Sequence, residues 1–162
     1  MSWLFDGLPL HPLFVHAVVV GVPVTALLAI AAAWVPRVRD WLGIILPIIA
    51  TASFIAALLA KEAGEALAEQ VPETPAVTAH TGIADVAVVG AALLMLVSWM
   101  QWVWDHVYVR VRPGRTRARV TNPRTARGVA ITISIAQTVI AVFAIVAVVI
   151  VGDTGARAVW AG

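Results

Sequence analysis

Polar residues divide the chain into four long apolar stretches, about 13–35, 41–60, 83–104 and 129–151. Each holds roughly the 20 residues that a helix needs to cross a hydrocarbon core at ~1.5 Å rise per residue. A segment in lipid must satisfy its own backbone donors and acceptors, which leaves helices or a closed barrel. Barrel strands alternate in polarity, and these runs do not. The pattern predicts an all-α fold, an integral membrane four-helix bundle forming a single transmembrane domain over residues 1–162. Thr74 followed by Pro75 has the form of an N-cap and first helical position, so the third helix is expected to start near 75.

Two spans carry a small, polar face. His80, Ala84, Ala87, Ala91, Leu94, Ser98 and Gln101 recur at steps of three and four, as do Ser134, Gln137, Thr138, Ala141 and Ala144. Such faces look into a bundle rather than at lipid, and the Gln137 amide is expected to find a partner on a neighbouring helix. Pro23 and Pro47 lie inside the first two spans and should free the carbonyls of Val19 and Gly43. Gly21, beside Pro23, leaves room for close packing or a flat ligand. Gly21, Gly90 and the many alanines also suit packing against other membrane subunits or a second copy of the chain.

Composition supports this reading. Of 162 residues, 61% are hydrophobic and 12% charged, with no cysteine, at a mean hydropathy of +0.94. The lack of cysteine excludes disulfides, thiolate-held iron–sulfur clusters and cysteine nucleophiles. A net charge of +2 and a pI near 9.9 could suggest nucleic acid, but the arginines lack interleaved stacking aromatics, and no nucleic-acid partner is expected.

The charges instead set direction. No Lys or Arg precedes Arg37; the first connection carries Arg37 and Arg39, the second is acidic around Lys61, and the third carries seven arginines from Arg110 to Arg127. Basic connections stay in the cytoplasm, so both termini should face outward (N-out/C-out) in a bacterial cytoplasmic membrane. The first span lacks the basic start of a cleaved signal peptide and is too long for one. The Arg110–Arg127 loop is expected to grip anionic headgroups. Its alternating VYVRVR–PG–RTRARV could form a ribbon, although an L-Pro-Gly pair is a poor two-residue hairpin turn. Trp3 and Phe5 should rest at the outer interface, and Trp34, Trp41, Trp99, Trp102, Trp104 and Tyr108 at the inner one.

That orientation gathers His11, His16 and His80 at the outer end, with Lys61, Glu62, Glu65 and Asp153 nearby. His106 stands alone at the opposite end. His11 and His16 are separated by about 140° around a helix. His16 lies deeper, and spans one and three should face each other diagonally, so a ligand between His16 and His80 is expected.

The runs LPLHPLFVH, GEALAEQVPETP followed by a histidine, and GDTGARAVW resemble a bacterial membrane-protein family, domain of unknown function 2231, over nearly the whole chain. The resemblance implies four helices and an association with electron transfer, since members are sometimes fused to Rieske or cytochrome modules. Similar members often carry histidine where Asp153 stands, which leaves His16 and His80 as the matched pair.

Three readings stay open. One is a b-type haem between His16 and His80 for electron transfer or sensing, since imidazole is a normal axial ligand and bundles hold cofactors between facing helices. A second is a zinc or copper site of His16 and His80 with His11, Glu65 or Asp153. A third is an accessory or scaffold subunit without a cofactor, in which interfacial histidines bond headgroups or loop carbonyls. No motif supports an enzyme acting by itself.

Overall fold

The computed structural model describes residues 4–5, 8–109 and 122–160, with side chains over 11–109 and 122–157. Two short strands, β1 (Leu4–Phe5) and β2 (Leu8–Pro9), pair antiparallel. They lead into α1 (Leu10–Trp34), the short α2 (Pro36–Leu42), α3 (Ile45–Ala68) and α4 (Pro75–Val103). A π-helical segment over Trp104–Val109 continues α4, and α5 runs from Pro123 to Trp160. Four of these are long and apolar enough to cross a membrane: His11–Trp34, Ile45–Ala68, Pro75–Val109 and Pro123–Arg157. The protein is an all-α four-helix bundle of the multi-pass membrane class.

The helix starts follow from local chemistry. The Thr74 side chain accepts from Val77 N at 3.3 Å, and Pro75 takes the first helical position, so α4 begins where the sequence predicts. Asn122 does the same for α5, accepting from Arg124 N at 3.0 Å ahead of Pro123. This start lies earlier than the apolar run at 129 suggests, because capping rather than hydropathy sets it.

The second span departs from expectation. Residue 41 belongs to α2, not to the span. Gly43 has φ +49°, a left-handed conformation that glycine accepts without a Cβ clash, and its N–H closes α2 on Arg39 O at 2.9 Å. With α3 starting at Ile45, Pro47 falls in its first turn, where an N–H would have no intrahelical acceptor. It frees no mid-span carbonyl.

Around the bundle, α1 packs on α3 and α5, α4 packs on the same two, and α1 meets α4 only across the diagonal. The core is built from small side chains, including Ala26, Ala29, Ala87, Ala91, Ala141 and Ala144, with Val22 and Leu94. Larger side chains such as Val20, Leu27, Leu96 and Val139 point outward, each at least 58% exposed. This arrangement suits lipid, where close backbone approach replaces a hydrophobic driving force. A Cβ placed on Gly90 would lie 3.1 Å from Ala144 Cα, which marks a close backbone approach in the α4–α5 seam.

The polar face read along the third span is buried from Ala87 to Gln101. Gln137 donates from Nε2 to Ala29 O at 2.7 Å and to Gln101 Oε1 at 3.0 Å. Ser134 Oγ donates to Ala33 O at 2.9 Å. These are interhelical bonds, as expected of polar groups within a membrane bundle.

The π-helical segment covers Val107–Val109, so the start of the proposed ribbon is helical; its remainder, and the arginines from 110 to 119, lie outside the described residues. Arg124 and Arg127 are exposed at the start of α5. Two of the interfacial tryptophans have specific partners: Trp34 Nε1 donates to Thr138 at 2.9 Å and Trp99 Nε1 to Thr51 at 3.0 Å.

Candidate functional site

The histidine end of the bundle contains a cavity of about 1120 Å³. All four long helices line it, together with Val71 and Pro72 of the α3–α4 connection, and its wall is mostly valine, alanine, leucine and proline. His11 and His80 lie on this wall with ring centroids 6.4 Å apart and ring planes at 76°.

Each ring is braced on the helix alongside its own. His11, in the first turn of α1, places Nδ1 2.8 Å from Ala60 O of α3. A carbonyl only accepts, so Nδ1 is the donor in this bond, and Nε2 is the ring nitrogen it leaves unused. His80 of α4 places Nδ1 3.2 Å from Thr154 Oγ1 of α5. The Thr154 hydroxyl already donates to Val151 O at 3.0 Å. Its oxygen therefore accepts from His80 Nδ1–H. Two imidazoles from diagonal helices thus line one largely apolar cavity, each held through Nδ1.

Glycines make both seats. A Cβ on Gly64 would fall 2.8 Å from His11 Cε1, and one on Gly155 would fall 3.0 Å from His80 Cε1. Any other residue at 64 would push the ring away from α3.

His16 and His80, expected to flank a ligand, both border the cavity, but the ring 6.4 Å from His80 is that of His11. His16 is exposed, and its Nδ1 bonds Pro12 O of its own helix at 2.6 Å. The reason is helical phase. Val18 and Val22 face the core, and stepping back by three and four reaches Val15 and then His11. His16 falls on the face of Leu13 and Val20, which are 62% and 63% exposed.

The carboxylates of the transition-metal reading are engaged elsewhere. Glu65 pairs with Lys61 at 3.0 Å, and Lys61 also reaches Asp85 at 3.2 Å. Asp153 points outward and pairs with Arg157 at 2.8 Å. Among the described residues, no three histidine, aspartate or glutamate side chains converge as a metal-ligand set. His11, His16, His80, Glu65 and Asp153 therefore do not meet at one point.

At the arginine end, His106 bonds Trp102 O at 3.0 Å and stacks on the Trp102 ring at 5.0 Å. Sequence reasoning missed two features. Asp105 is buried and lies 3.4 Å from Arg39, tying the π-helical segment to α2. Thr154 and the two glycines set the imidazoles, and their only sequence signal is their place in KEAGEALAEQ and GDTGAR.

The fold and this site define a class: a small polytopic four-helix protein with a paired-imidazole cavity at one end. No protein-family model, curated protein or solved structure matches the chain.

Proposed function

We propose that the protein binds a b-type haem in the cavity at the histidine end, where His11 and His80 would hold it, and serves as an electron-transfer or haem-sensing membrane subunit. The observation that carries this reading is the imidazole pair, 6.4 Å between centroids, with Nδ1 of each ring bonded to an adjacent helix. A structural zinc site asks for four protein ligands and a catalytic one for three. The described residues supply two, which suits a metal that brings its remaining donors in a macrocycle. The apolar cavity wall suits the faces of such a ring.

When bound, haem would supply one-electron chemistry. The chain's own part is orientation and exclusion of water: Ala60 O and Thr154 Oγ1 fix the tautomers, Gly64 and Gly155 set ring position, and the valine and alanine wall keeps water out. The resemblance to domain of unknown function 2231, with its fusions to electron-transfer modules, supports the same reading. The positive-inside rule supports an outward histidine end and arginine connections in the cytoplasm of a bacterial cell. Anionic lipid headgroups would then meet the Arg110–Arg127 loop.

The test is an absorption spectrum of detergent-purified protein before and after dithionite. A Soret band that sharpens on reduction, lost in His11→Ala and His80→Ala but kept in His16→Ala and His106→Ala, is the expected result. Colourless protein that also fails to take up added haem overturns it and leaves the accessory-scaffold reading.

A further inference from the structure

A second, much smaller cavity lies at the arginine end, and it does not depend on the haem reading. Its volume is about 10 Å³, and its polar lining is Ser98, Gln101, Asp105, Arg39 and His106. That is close to the ~10–15 Å³ needed for one water.

The hydrogen bonding around it is asymmetric. Gln137 Nε2 donates to Ala29 O, and a carbonyl accepts only, so the orientation of the Gln137 amide is fixed. Gln101 must then present Oε1 to Gln137, which turns its own Nε2 to the other side. That Nε2 is buried in a residue 3% exposed and has no hydrogen-bond partner among the described residues. An unpaired buried amide is costly, whereas one bonded to a water is not. Ser98 spends its hydroxyl hydrogen on Leu94 O at 2.7 Å, so its oxygen remains an acceptor. Asp105, about one turn beyond Gln101 in the π-helical segment that continues α4, offers a carboxylate.

We infer that this cavity is a binding site for a single ordered water that accepts from Gln101 Nε2 and donates to Asp105 and Ser98. Such a water has the usual three partners. It joins two halves of one polar chain, from Ala29 O through Gln137 and Gln101, across the water, to the Asp105–Arg39 pair. The bundle centre is thereby connected by hydrogen bonds to the arginine end.

Water-edited solid-state NMR on the intact protein in lipid bilayers tests this. The chain has three glutamines, at 70, 101 and 137, so side-chain amide signals can be assigned by single substitutions such as Gln101→Met. Magnetisation from water should reach the Gln101 amide several-fold faster than that of Gln137, and close to the rate of exposed Gln70. Asp105→Leu should slow transfer to Gln101 while leaving Gln70 unchanged. Gln101 lagging as far behind as Gln137 in the unaltered protein would overturn the site.

Discussion

The two cavity-facing imidazoles depend on contacts that single atoms can break. Gly64→Ala would put a methyl group 2.8 Å from His11 Cε1, and the rigid α3 backbone leaves the ring to move. Haem content should fall several-fold with helical circular dichroism unchanged. Gly82→Ala meets nothing within 4 Å and should leave content unaltered, possessing only the ordinary helix gain of up to about 1 kcal/mol. Thr154→Val preserves shape but removes the acceptor of His80 Nδ1–H. Loss of such an outer-shell partner typically lowers metal-centre affinity by roughly 10–100-fold, measurable by haem titration, and Thr154→Ser should restore it. None of these three roles is legible from composition. Glycine, threonine and a backbone carbonyl have no chemistry that marks them until the neighbouring helix is in place. The histidines did stand out, but depth alone favoured His16. The buried stripe from Val22 back through Val18 and Val15 leads to His11, and an all-round apolar helix hides that stripe because its lipid face is as hydrophobic as its core face.

At the level of elements, the helices were readable wherever lipid or a cap dictates them. The starts of α4 at Pro75 and the inward face from Ala87 to Gln101 follow from Thr74 capping and small-residue spacing. The break between α2 and α3 was not readable, because Trp41–Leu42 and Ile45–Leu46 are continuous in hydropathy and only the positive φ of Gly43 separates them. The same break lets α2 carry Arg39 to Asp105 at 3.4 Å, with side chains 20% and 12% exposed. Exposed pairs contribute about 0–1 kcal/mol, and breaking a fully buried pair costs about 3–5 kcal/mol. Arg39→Ala should fall between these, lowering thermal stability in detergent by about 1–2 kcal/mol. Arg37→Ala, exposed on the same short helix, should change it far less. Equal effects at both positions would mean that the Arg39–Asp105 pair does not anchor α2.

For the whole molecule, the two ends of the bundle differ in chemistry. One end has a roomy, mostly apolar cavity flanked by two imidazoles, and the other has a packed polar chain closed by an ion pair. Lipid facing alone does not say which end is outside, since the exposed valines and leucines run the full length of the helices. Charge decides: connections containing Arg37, Arg39 and the run from Arg110 to Arg127 should remain in the cytoplasm, while the glutamate-rich α3–α4 turn crosses. Because the chain has no cysteine, single-cysteine variants report on this directly. In intact cells, a membrane-impermeant maleimide should label Glu73→Cys and leave Thr116→Cys unlabelled until the membrane is opened. The opposite pattern would place the imidazole cavity on the cytoplasmic side. The pair of rings and their braces would stand unchanged.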